Sequence, residues 1–145
     1  AGRIADGFIP SVPEVWEFYR DEVQVLGRPD PGGCPIGSNQ VTALATDPDA
    51  GWKEMAPFFL HETNAYGAWN DAAGLDSPYS VSPGADALRE TGQYRVMIPA
   101  DFVTEQQAAP FAFAMFHPLC GGMPIDLAWS SLRLFEREVL PAFSS

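Results

Sequence analysis

Positive charge is what this sequence is shortest of. Its 145 residues carry seven arginines and one lysine against 19 acidic side chains, for a formal net charge of −11. The basic residues are scattered. Binding a phosphate backbone needs concentrated positive charge, so nucleic acid is not an expected partner. An anionic membrane surface is disfavoured for the same reason. Long hydrophobic runs are missing too. No stretch approaches the roughly 20 apolar residues of a membrane span, and residues 1–10 hold no segment of the length a secretory signal needs. Cysteine is scarce. Cys34 and Cys120 are too few for a disulfide framework, and a chain of this size can bury a core without one, so both are expected as thiols and the cytoplasm as the compartment. There is no GxGxxG segment, no phosphate-binding P-loop and no GxSxG elbow. Histidine occurs only at His61 and His117. The chain starts without methionine on residues that read as the last turn of a helix, which leads us to expect a piece of a longer protein.

What is present is a folding composition, 46% apolar and 12% aromatic, well outside the disordered range. Residues 6–10 read as a brief buried strand. Ser11 and Glu14 fit a capping box, and Trp16, Tyr19, Val23 and Leu26 follow at helical spacing. Gly27 is placed to end that helix, and Pro29 forbids its continuation. Residues 28–35 form a loop rich in proline and glycine. A second strand is expected over 36–46, with Val41, Ala43 and Ala45 on one face. Asp47 and Pro48 then open a helix to about residue 64, carrying Trp52, Met55 and Phe59, which Pro57 should kink or split. Residues 65–97 read as largely irregular, with a helical turn or two at 85–90, and a loop of that length is usually functional. A short helix follows from Pro99.

Residues 110–126 are the focus of the chain. The apolar run 111–116 predicts a third strand, covered on both faces. It stops at His117, and a tight loop follows with Gly121 and Gly122 between prolines. Asp126 then caps a last helix with Ala128, Leu132, Phe135 and Val139 inward and Arg133, Glu136 and Arg137 outward. The pattern is three strand–helix repeats with no hairpin signal. That predicts an α/β fold with parallel strands, either part of a (β/α)8 barrel or a doubly wound sheet.

Several stretches together resemble one family. Residues 1–10, Gly27-Arg-Pro-Asp30, Val41-Thr-Ala-Leu-Ala-Thr-Asp-Pro48 and Leu134-Phe-Glu-Arg-Glu-Val-Leu-Pro141 are similar to the C-terminal part of luciferase-like flavin-dependent monooxygenases. His117-Pro-Leu-Cys-Gly-Gly-Met-Pro124 and His61-Glu-Thr-Asn-Ala-Tyr-Gly67 resemble its deazaflavin-dependent branch. The resemblance covers essentially all 145 residues. It implies the last three strand–helix units of a TIM-type barrel, without the segment that helps hold the flavin phosphate. It implies an oxidoreductase acting on a small organic substrate with reduced FMN or a deazaflavin, by oxygen insertion or by hydride transfer. His117 and His61 become the catalytic candidates, and Gly121, Gly122, Tyr66 and Asn64 the cofactor contacts. A homo-oligomer is compatible with this.

Each of these residues has a plainer reading. His117 at a strand end either lines the pocket or orders its own loop through a backbone carbonyl. His61 reaches the site or simply ends its helix. Tyr66 and Trp69 stack on a flat ring or pack under the loop. The glycines let the backbone turn, or approach a ligand closely. Cys120 is not expected as a nucleophile, since that needs a base held against it. A zinc site built from Cys34, His61, His117 and Cys120 is not expected either, because only His117 and Cys120 form a close pair. The competing functional reading is a non-catalytic partial barrel that associates with another chain through open sheet edges.

Overall fold

The structure, a computed structural model, describes residues 1–10, 13–35, 41–75, 79–109 and 113–144. It divides into two compact units, one of Ala1–Ser38 with Gln106–Phe113, the other of Asn39–Glu105 with Ala114–Ser145.

The first unit is built on helix α1, Trp16–Val25, which follows a 3-10 turn at Pro13–Val15. Its apolar spacing works as the sequence implies for three of the four residues, while Leu26, beyond the helix end, is exposed. Trp16, Tyr19 and Val23 are buried, and Phe8 packs on the first two rings. Gly27 adopts φ +67, a conformation that a side chain would strain, and ends the helix. The capping box at Ser11 lies outside the described residues. Residues 1–5 do form a helical turn, with the Ala5 N–H donating to the Ala1 carbonyl. Residues 6–10, expected as a strand, are irregular. The loop beyond α1 is tied back to it. Arg20 grips both carboxylate oxygens of Asp30, at 2.9 and 2.7 Å, and the Trp16 indole N–H donates to the Gly32 carbonyl.

The second unit is α/β. Strand β1, Val41–Leu44, is buried at every residue. Helix α2, Pro48–Ala73, starts where Asp47 accepts hydrogen bonds from the N–H groups of Asp49 and Ala50. Helix α3, Ala85–Thr91, leads into strand β2, Tyr94–Met97. β1 and β2 pair in parallel from Val41 beside Tyr94 to Leu44 beside Met97. Helix α4, Pro99–Ala108, follows, and helix α5, Ile125–Leu134, comes after the loop at 117–124. One core joins Val41, Trp52, Met55, Phe59, Leu88, Tyr94 and Cys120. A second joins Leu44, Phe102, Leu134 and Val139.

Parallel strands joined through helices agree with the sequence reading, but several details differ. β2 falls inside the stretch read as irregular, because four residues between Gly92 and Pro99 are too few to display an alternating pattern. The strand expected over 36–46 is ordered as β1 only over 41–44, and 36–40 lie outside the described residues. The third strand shrinks to a single parallel bridge between Met115 and Val41; residues 111 and 112 also lie outside the described residues. α2 runs unbroken through Pro57 to Ala73, nine residues beyond the expected end. Packing on both sides of the proline, by Met55 and Ala56 before it and Phe59 and Thr63 after it, holds the helix together. Asp126 lies one residue inside α5, whose N-cap is Pro124, and its side chain makes no capping bond.

The order of the sheet matters most for the fold. Met115 lies beside β1, on the side away from β2, so the order is β2, β1, Met115. Two strands and a single bridge make a small parallel α/β sheet, with no closed barrel among the described residues.

Candidate functional site

Among the described residues, one carboxylate is buried in the core of the second unit. Glu62 is 7% exposed, on the buried face of α2. Its Oε1 accepts a hydrogen bond from the Tyr94 hydroxyl at 3.0 Å, and its Oε2 lies 3.1 Å from His117 Nδ1. The Cys120 thiol also bonds to this carboxylate. Ligand-type atoms of Glu62, His117 and Cys120 all lie within 4.8 Å of one another. A buried carboxylate is costly unless hydrogen-bonded, and here three donors converge on it.

Each member comes from a different element. Glu62 continues the stripe of Trp52, Met55 and Phe59 on α2. Tyr94 is the first residue of β2. His117 follows the Met115 bridge, and Cys120 opens a 3-10 turn, Cys120–Gly122. That turn is seated directly on α2. Gly121 has φ +57, and a Cβ there would collide with the Phe58 carbonyl oxygen. Cys120 is fully buried, while the His117 side chain is half exposed. Burial first, then the neighbouring Glu62, pushes the Cys120 thiol well above its ordinary range, and the Tyr94 hydroxyl is raised by the same causes. The thiol is therefore kept protonated and non-nucleophilic.

The sequence candidates part company here. His117 belongs to the cluster. His61 is exposed, one residue from Glu62 but on the outer face of α2. Asn64 spends its amide on the loop that follows α2, accepting from the Ser82 N–H at 2.7 Å and donating to the Ser82 carbonyl at 3.3 Å. Tyr66 packs edge-to-face against Trp69 and at a tilt against Tyr79, and stays partly exposed. Gly121 is occupied by helix packing, whereas Gly122 is exposed with open space around it. Glu62 and Tyr94 were missed. A signal for Glu62 was present, since a carboxylate lies on the apolar stripe of an amphipathic helix. Tyr94 had none, because the strand that carries it was not legible.

The position of the cluster is also unexpected. Tyr94 pairs with Val41, the first residue of β1, and Met115 bridges to the same Val41. The cluster is therefore level with the beginnings of the strands, not with their carboxyl ends, where α/β folds usually bind ligands. The carboxyl end of β1 instead opens on a cavity of about 360 Å³ lined by Thr46, Asp47, Glu54, Ser130, Arg133 and Arg137 among others. Compared with protein-family models, with curated proteins and with solved structures, the chain matches none.

Proposed function

We propose that the chain serves an oxidoreductase of the luciferase-like class, acting on a small organic substrate with reduced FMN or a deazaflavin. The family resemblance suggests the class. The single observation that supports it in three dimensions is the pairing of buried Glu62 with half-exposed His117. A carboxylate on Nδ1 fixes the tautomer and the plane of the ring, leaving Nε2 turned to its other side as a proton donor or acceptor. That is the part an acid/base histidine plays beside a redox cofactor. When bound, the flavin would supply the electrons, and the chain would orient the substrate and manage its proton. The ring end of such a cofactor would be met by the open backbone at Gly122 and the exposed side chains of Tyr66 and Trp69. The residues do not fit its phosphate end at the cluster, since among the described residues no Lys or Arg pairs with Glu62 or His117.

The test is fluorescence titration of the chain, and of any longer natural protein containing it, with FMN and with a deazaflavin. Saturable binding with turnover, falling by ~10²-fold or more in His117→Ala with the fold intact, is the expected result. Binding to neither form sinks the reading.

A second reading has its own observation. β2 is paired only on its β1 side among the described residues, and Met115, Ile125 and Trp129 are large exposed apolar side chains of the same unit. A non-catalytic piece that associates with another chain through an open sheet edge would look like this. Sedimentation of the flavin-free chain as a stable dimer, without flavin binding, favours it.

A further inference from the structure

We propose that Glu62, His117 and Cys120 form a binding site for one zinc-type divalent ion. The inference goes beyond the flavin reading and does not depend on it.

Four observations converge. The first is charge. Glu62 is 7% exposed, and among the described residues no Lys or Arg makes an ion pair with it. Hydrogen bonds solvate such a carboxylate but do not balance its charge, and a divalent cation would. The second is geometry. In a tetrahedral zinc site, with bonds of roughly 2.0–2.3 Å, the ligand atoms stand about 3.3–3.6 Å apart. Here the three candidate atoms already lie within 4.8 Å of one another, with His117 Nδ1 and Glu62 Oε2 at 3.1 Å. Side-chain adjustment of about 1 Å would close the site.

The third observation is donor chemistry. Thiolate, imidazole and carboxylate together suit zinc better than calcium or magnesium, which prefer all-oxygen shells. The fourth is support. The Tyr94 hydroxyl holds the other oxygen of Glu62, as an outer-sphere group does for a ligating carboxylate. Gly121 seats the turn carrying Cys120 against the α2 backbone. Three protein ligands leave a fourth position, on the side where His117 reaches solvent, for water or a substrate atom.

On binding, the Cys120 thiol releases its proton to solvent and coordinates as thiolate. His117 coordinates through Nδ1, which gives up its proton to solvent while Nε2 takes one up, so the ring stays neutral and the Cys120 proton is the only one released on balance. No electron is transferred.

The test is titration of the full chain, stripped with chelator, with ZnCl2 and with CoCl2, following stoichiometry by elemental analysis and cobalt by absorbance. One ion per chain is expected, with a thiolate-to-cobalt charge-transfer band and the intense visible bands of a tetrahedral ion. His117→Ala should weaken binding at least tenfold, while His61→Ala, outside the cluster, should leave it unchanged. His117 is half exposed, so its loss should be tolerated by the fold; circular dichroism of the variant confirms this before titration. The proposal is overturned by a dissociation constant weaker than about 10 μM for both ions, by a cobalt spectrum without the thiolate band, or by equal affinity in His117→Ala. Metal binding without flavin binding supports this site and sinks only the flavin reading. Flavin binding by a chain that takes no metal does the reverse.

Discussion

Two residue types show most directly how surroundings decide behaviour. The two cysteines are chemically identical in the sequence, but Cys34 is partly exposed while Cys120 is sealed in the core with its thiol kept protonated. Brief native alkylation with iodoacetamide should therefore label Cys34 and spare Cys120, and both should react once the chain is unfolded. Mass spectrometry of the peptides reads this, and native labelling of Cys120 would mean that the Glu62 cluster opens readily. Asp30 gives a pH prediction. The Arg20 guanidinium, helped by the Gly32 N–H, lowers its carboxyl from 3.8 to about 2. A depressed folded-state value means that this stabilisation is present above the unfolded value and is lost as pH falls through the folded one. The loss should thus occur between pH 3.8 and about 2. Arg20→Ala should flatten the pH dependence of the melting temperature in that window and leave its slope unchanged above it. The pair is exposed, so the effect will be small.

Among the elements, α5 and the turn at Cys120–Gly122 are each locked to a neighbour, α5 to the end of β1 and the turn to α2. Ser131 is buried in α5, and its Oγ accepts the Leu44 N–H at 2.7 Å, which joins α5 to the end of β1. Ser131→Ala would leave that N–H unpaired in the core, at a cost of about 1–3 kcal/mol. Chemical denaturation checks this, and a loss below about 0.5 kcal/mol would mean that water reaches the N–H instead. At Gly121 an alanine faces two penalties. The left-handed backbone alone costs about 1–2 kcal/mol, and the clash with the Phe58 carbonyl adds to it. Gly121→Ala should therefore lower the melting temperature with no ligand present. If its stability were untouched while ligand affinity fell, Gly121 would be a cofactor contact, as the family resemblance implies. Helical periodicity identified α1, α2 and α5 and part of their buried faces, because a stripe every three or four residues is written directly in the chain, but Leu26 is exposed and Ser131 and Leu134, not Leu132, are the buried residues of α5 beside Ala128. It did not disclose that α2 passes through Pro57, because the contacts that outweigh the missing backbone bond come from other segments.

For the whole molecule, the net charge of −11 is the strongest global term. The ion pairs that relieve it are surface ones, such as Arg89 with Asp49 and Arg95 with Glu105, and pairs of that kind are worth little. Self-repulsion among the excess carboxylates should then dominate the salt response. Raising NaCl from about 10 to about 150 mM should increase the melting temperature, because the Debye length shrinks to about 8 Å. A decrease would show that the surface pairs contribute more than the repulsion they offset.

The amino-acid sequence by itself determined the α/β class, the parallel strands, most of the helix stripes and the glycine that ends α1. These are properties of local pattern: period, capping chemistry and backbone freedom act over a few residues and can be read in order. Only the tertiary structure decided that Met115 sits beside β1 rather than β2. Only it brought Glu62 and Tyr94 to His117 and Cys120, turned His61 outward, and committed Asn64 and Gly121 to internal packing. Those outcomes depend on contacts between residues 18 to 74 positions apart, and on which face of a helix a neighbouring segment covers. Burial then assigns the chemistry: it makes Glu62 a carboxylate surrounded by donors, and makes Cys120 a thiol that no alkylating agent should reach.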